Sequence, residues 1–311
     1  MSQKKYSEIE NNTPPRKTAI LEMLLKVDKD HPLVKKYNEQ NDEYLKNLNN
    51  QISALEKKNS EKIILPELKP IDVESFYSRF LEAFEFFNGK KFDENVNDGE
   101  CRKLARTLCA YLIGKKDFLR SPLLNRDVSE PSLNKGILMI GGKGIGKTTI
   151  MKTFKEMFLY ASNPNYKPLT VQDIEGTHQI LNRYIQRDKM SFGFHTANEV
   201  VDAYEAIEDS KEQENFNIKY SQGFRYFDDI MTEEVASRYG KRDIFRTIFE
   251  KRYSNHAKTM VSINYHDEQE GKQKNLEKTL TAFGNRYGDR VFDRSFEMYN
   301  IIELKGDSLR K

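Results

Sequence analysis

Residues 141–148 read Gly-Gly-Lys-Gly-Ile-Gly-Lys-Thr. Gly141 opens, and Gly146, Lys147 and Thr148 close, a G-x-x-x-x-G-K-[ST] pattern. Such a loop wraps phosphate groups. Glycines such as Gly142, Gly144 and Gly146 let backbone N–H groups curl round the anion with no Cβ in the way. A helix that starts at the end of the loop adds its positive dipole end. Lys147 is placed to reach the β- and γ-phosphates, and the Thr148 hydroxyl is placed to ligate Mg²⁺. With Lys143, Ile145 and Thr149, the stretch from Gly141 to Thr149 is the candidate nucleotide cradle.

A triphosphate site of this kind needs a second group, an acid at the end of another strand. The run from Gly223 to Phe227 leads into Asp228-Asp229. Asp228 is the candidate to hold Mg²⁺, and Asp229 to polarise the attacking water as general base. A third apolar run, Thr259 to Ile263, ends at Asn264. An amide there can orient the lytic water or touch the γ-phosphate, although a strand-end Asn also serves as a turn residue.

These residues need elements to position them. Gly136 to Ile140 is a short apolar run, as expected of a buried strand. After the loop, Ile150, Met151, Phe154, Met157 and Phe158 recur at helical spacing. A further strand is expected near 191–196, where Phe192 and Phe194 alternate like core residues. Apolar strands alternating with helices predict an α/β core built on a parallel sheet. Ahead of it, Cys101, Leu104, Ala105, Leu108, Cys109 and Leu112 form one face of a helix over 99–113, which makes both cysteines buried structural thiols. Residues 115–135 read as a loop, and 163–190 as an insertion with no physical reason visible.

The front of the chain differs. All 16 glycines lie beyond residue 88, and the first segment is rich in Lys, Glu and Asn, which favours helices over tight turns. Residues 1–16 read as a disordered lead and 17–65 as a helical, partner-binding region. There Leu21, Leu24 and Leu25 share one face, and Leu45, Leu48, Ile52 and Leu55 make a short seam that suits packing on a neighbouring helix better than a dimer zipper. Residues 66–94 hold a linker, marked by Pro66 and Pro70, and a helix capped by Asp72. Its Phe76, Phe80, Phe84 and Phe87 face a core. The remainder, 95–311, is the catalytic domain.

Composition narrows the class. The chain has 311 residues, 32% of them charged, with a net charge of +3. That charge alone does not argue for nucleic-acid binding. Arg238, Tyr239, Lys241 and Arg242 do cluster after the acid pair, as a contact for single-stranded DNA or as an ordinary solvated helix start. Two cysteines exclude a disulfide scaffold. No apolar stretch is long enough to span a membrane, and the first residues lack a secretory signal, so a cytoplasmic protein is expected.

The order of the motifs resembles a known group. The phosphate loop and the acid pair are followed by Tyr239-Gly240, Phe249 to Tyr253, the strand ending at Asn264, Tyr287 to Arg294, and Ile301 to Gly306. This is similar to the AAA+ ATPases of the bacterial replicative helicase-loader family (DnaC and DnaI type) and to their IstB transposition relatives. The resemblance covers about residues 95–308. It implies an AAA+ P-loop NTPase with a central parallel sheet flanked by helices and a reduced C-terminal lid, preceded by a small all-helical domain. It implies ATP and Mg²⁺ as cofactors and hydrolysis of ATP to ADP and phosphate. Lys147 and Thr148 then belong to the first nucleotide motif, Asp228 and Asp229 to the second, and Asn264 is the sensor. Arg290 and Arg294 match the pair from which the family supplies an arginine to a neighbouring subunit's ATP, without deciding which of the two does so. The implied partners are a DnaB-type replicative helicase, single-stranded DNA and further copies of the chain in an ATP-dependent oligomer, with no membrane. The alternative is an IstB-like regulator of transposition that assembles on duplex DNA.

Overall fold

The computed structural model describes residues 14–60, 70–162, 185, 189–233, 243–266 and 275–309. Residues 1–13 of the expected lead over 1–16, the linker proline Pro66 with its neighbours, most of the 163–190 insertion, and the Arg238 to Arg242 cluster lie outside these. The chain divides into two compact units, residues 1–67 and 68–311.

In the first unit, α1 (Ala19–Val27) starts on a Thr18 cap and α2 runs from Pro32 to Ser60. Leu21 and Val34 are buried, and Leu24 and Leu25 are half-buried beside them. Leu45 of the expected seam is exposed and Leu48 half-buried, while the side chains of Ile52 and Leu55 are outside the described set.

The second unit is a five-stranded parallel sheet between two helical layers. Its strands are β1 (Gly136–Gly141), β2 (Gly193–Thr196), β3 (Arg225–Ile230), β4 (Thr259–Ile263) and β5 (Tyr299–Leu304), in the order β2-β3-β4-β1-β5. Every residue of β1 and β4 is buried, which is why both read as mainly apolar runs, broken in β4 by Ser262, rather than as alternating ones. Parallel pairing turns all strand C-termini to one edge, so Gly141, the acid pair and Asn264 meet there. That edge beside β1, where the chain crosses from one side of the sheet to the other, is where an open α/β sheet binds ligands.

One face carries α3 (Val73–Asn88), α4 (Val96–Leu112) and α5 (Lys147–Ser162). The other carries α6 (Ala197–Glu205), α7 (Ser210–Ser221), α8 (Ile244–Ser254), α9 (Leu276–Tyr287) and α10 (Asp289–Met298).

Asp72 caps α3 as its position suggests, accepting from the Ser75 N–H at 2.8 Å. Phe76, Phe80 and Phe84 are buried, and Phe80 stacks on Phe154 of α5 with ring centroids 4.6 Å apart. The phenylalanine-rich helix, read from sequence as lying ahead of the catalytic domain, thus shares one core with the helix that follows the phosphate loop. On α4 the six apolar positions expected to be buried are buried. Its start differs: Asn97, Asp98 and Gly99 are left-handed, so the regular helix begins at Glu100. Both cysteines are free and buried, and burial raises the Cys101 thiol to about 11. The 115–135 loop holds one short 3-10 turn, Lys116–Arg120.

Candidate nucleotide site

The loop leaves β1 at Gly141 and enters α5 at Lys147. Gly144 and Gly146 take φ of 75° and 100°, which only glycine adopts freely. Lys147 is buried and folded back. Its ammonium donates to the carbonyls of Gly141 at 2.7 Å and Gly142 at 2.9 Å, and to the Asn264 Oδ1 at 3.1 Å. The Asn264 Nδ2 donates in turn to the Asp229 Oδ1 at 2.5 Å. Three residues from β1's loop, β3 and the end of β4 are therefore one connected chain: lysine, amide, carboxylate.

The acid pair sits inside β3 rather than after it. Phe227 pairs with Val261, yet Ile230 pairs with Ile263, so β3 carries one extra residue against β4. This is a bulge, and Asp229 takes it with φ of 58°. Asp tolerates that region better than most residues with a Cβ. The bulge breaks the alternation of side chains along the strand. Asp228 stays on the face of Tyr226, buried, while Asp229 is half-buried and meets Asn264. The Asp228 Oδ1 accepts from the Tyr226 hydroxyl at 2.5 Å and the Ser262 hydroxyl at 2.7 Å. The Asp229 N–H donates to the Ser262 Oγ at 3.0 Å.

Tyr226 and Ser262 are missed by motif reading. Their signals are present: Tyr226 lies two residues from Asp228 on one strand face, and Ser262 interrupts an apolar strand beside it.

A strap holds the loop from behind. Asn97 grips the Asp307 backbone through both amide atoms, at 2.9 and 3.1 Å, and the Leu309 N–H donates to the Gly144 carbonyl at 3.1 Å. A Cβ at Gly306 would stand 2.6 Å from the Asn97 Cγ, so the strap passes only with glycine there. The Cys101 thiol donates to the Ile145 carbonyl at 3.3 Å.

The remaining candidates are placed as follows. Lys143 is exposed, Ile145 buried, and Thr148 and Thr149 half-buried at the start of α5. Arg290 and Arg294 lie one turn apart on α10, away from the loop's hydrogen bonds. Arg290 is exposed, and the Arg294 guanidinium lies 4.2 Å from the Tyr253 ring centroid. A cavity of about 310 Å³ opens between α6, α7 and α8 and contains none of these residues.

A parallel sheet of this order, with the glycine loop closing β1 and acids on β3, is an α/β P-loop NTPase fold. No family model matches the chain, and no curated protein matches it. Solved structures do, DnaC and DnaI among them. The DnaC helicase loader aligns with 55% of this chain and 79% of its own, at 16% identity and a TM-score of 0.35. DnaI aligns with 57% of this chain and 73% of its own, at 17% identity and a TM-score of 0.30. No helix among the described residues is long and apolar enough to cross a membrane.

Proposed function

We propose that the chain is an ATP-hydrolysing AAA+ protein that places a DnaB-type replicative helicase on single-stranded DNA, working as an ATP-dependent oligomer. The carrying observation is the contact run from Lys147 through Asn264 to Asp229. It links a phosphate-binding cation to a carboxylate suited to activate water, through an amide that can report on both.

The residues fit the ligands the reading requires. The loop's left-handed glycines and the N–H groups opening α5 suit a phosphate chain. Lys147 has an ammonium already poised on loop carbonyls, which phosphate oxygens can replace. Thr148 and Asp228 offer hydroxyl and carboxylate oxygens, the donor set of a hard cation such as Mg²⁺. That ion, when bound, neutralises charge on the phosphates. Asp229 takes the proton of the water that attacks the γ-phosphorus, Asn264 orients that water, and Lys147 offsets charge on the leaving phosphate oxygens. Arg290 or Arg294, supplied by the next subunit, offsets the rest, so turnover depends on assembly.

Steady-state hydrolysis of Mg-ATP, with nucleotide binding measured in parallel, tests the site. Lys147→Ala is expected to abolish binding. Asp229→Asn is expected to bind ATP and lose turnover by on the order of 10²-fold or more. Normal turnover in Asp229→Asn would remove the base assignment.

A further inference from the structure

The segment that follows Asp229 is held by the helix that leads to the arginines. Met231 also has a left-handed φ, 77°, and its N–H donates to the Tyr287 hydroxyl at 3.2 Å. That hydroxyl donates to the Glu233 Oε1 at 2.6 Å. Arg286, the preceding residue, donates to the Met231 carbonyl at 2.8 Å and to the Glu233 carbonyl at 2.6 Å, and pairs with the Glu233 carboxylate at 2.9 Å. Its Nε reaches the Asp243 carboxylate at 3.2 Å, and the other oxygen of Asp243 caps α8. Gly288 follows, with φ of 91°, and α10 with Arg290 and Arg294 starts at the next residue.

Glu233 is unusual for a static core. Its side chain is 2% exposed, yet among the described residues its Oε2 has no hydrogen-bond partner. Burial pushes the carboxyl above its ordinary range, against the pull of the Tyr287 hydroxyl and Arg286. A buried carboxylate with a spare acceptor is costly if fixed, and is suited to exchanging donors between two arrangements.

We propose that Arg286, Tyr287 and Glu233 form a latch that couples a subunit's own triphosphate site to the aim of the arginines it offers to the next subunit. This rests on the reading of the chain as an ATPase with arginines acting on a neighbouring copy. Phosphate binding draws the Lys147 ammonium from Asn264. Asn264 is then free to change its hold on Asp229, and the left-handed turn at Asp229 to Met231 shifts. Tyr287 and Arg286 grip that turn, so the Gly288 hinge and α10 move with it. The latch residues are positioning residues, since none touches the nucleotide loop. The latch requires this turn to have a second arrangement when phosphate is bound, which makes it the element that both sites bias.

Mixed assemblies test this. The recipient is Arg290→Ala with Arg294→Ala, which keeps its own site but offers no arginine. The donor is Asp229→Asn, which binds ATP, keeps an oxygen for the Asn264 amide and offers arginines, but turns over on the order of 10²-fold or more slowly. ATP turnover is read at fixed recipient while donor is titrated. The Asp229→Asn donor is expected to raise turnover at least tenfold. Adding Tyr287→Phe to the donor keeps the ring packed on Phe249 and Phe283 and deletes only the hydroxyl. It is expected to lower the maximal rise about five- to tenfold while leaving the half-effect concentration within twofold, because docking is unchanged. Adding Glu233→Gln, which keeps an oxygen for Tyr287, is expected to give a smaller loss, and circular dichroism melting of each donor confirms folding. If both variants rescue as well as the parent donor, the latch is overturned. If the parent donor itself gives no rise, the arginine-in-trans reading fails first, and the latch with it.

Discussion

Asp229 occupies a conformation that costs an L-residue roughly 1–2 kcal/mol, and it is held there from three sides. Asn264 binds its carboxylate, Ser262 its N–H, and the Thr232 hydroxyl its carbonyl at 2.6 Å. Strain so held sets one direction for the carboxylate, which suits the base role proposed for it. The same sheet shows what burial does to a titratable group with no such role. His195 on β2 lies level with Phe227, its ring 5.0 Å from that of Tyr220. Burial, with Lys219 and Arg225 nearby, lowers it from 6.5 to about 4. The folded state therefore refuses a proton that the unfolded chain accepts between those values. Its contribution to stability is complete above pH 6.5 and declines as pH falls towards 4. Melting temperature followed over that window should drop with acid, and His195→Phe should flatten the slope. An unchanged slope would assign the acid loss to other groups.

At the scale of elements, the phenylalanine-rich α3 is a structural brace for the site. Phe80 is fully buried against Phe154, Phe84 and Phe92. Phe80→Ala is expected to cost about 3–5 kcal/mol. In a unit of this size that lowers the melting temperature by roughly 10 °C. A shift of less than 2 °C would mean that α3 is a dispensable cover. The helix itself was legible from its four-residue phenylalanine step, as were the apolar strands and the amphipathic face of α4. Its partner was not, because nothing local says which core a stripe enters. The same limit applies around the nucleotide site. Lys147, Thr148, Asp228 and Asp229 announce themselves by spacing. The bulge that separates the two carboxylates depends on pairing with β4. The strap from Asn97 to Asp307, and the grip of Tyr287 on Glu233, join residues far apart in sequence through backbone groups or single polar atoms. Such contacts leave no period to read.

At the scale of the molecule, the two units divide labour if the loader reading holds. The unit over 68–311 has its own core on both faces of the sheet and contains every proposed catalytic residue. The unit over 1–67 contributes none of them, and α1 leaves Ile20, Met23 and Val27 exposed. Apolar side chains gathered on one short amphipathic helix suit a groove on another protein. Light-scattering mass of the full chain mixed with its host's replicative helicase, with Mg-ATP, with Mg-ADP and without nucleotide, should then show a stable complex. Removing residues 1–67 should abolish that complex while leaving ATP binding within about twofold, since the binding energy for each ligand resides in a different unit. If the shortened chain still binds the helicase, the docking surface lies on the nucleotide unit and the exposed apolar residues of α1 need another partner. If neither form binds helicase but mass grows with ATP and duplex DNA, the assembly is of the transposition type, and the helicase leaves the mechanism while Lys147, Asn264 and Asp229 keep their roles.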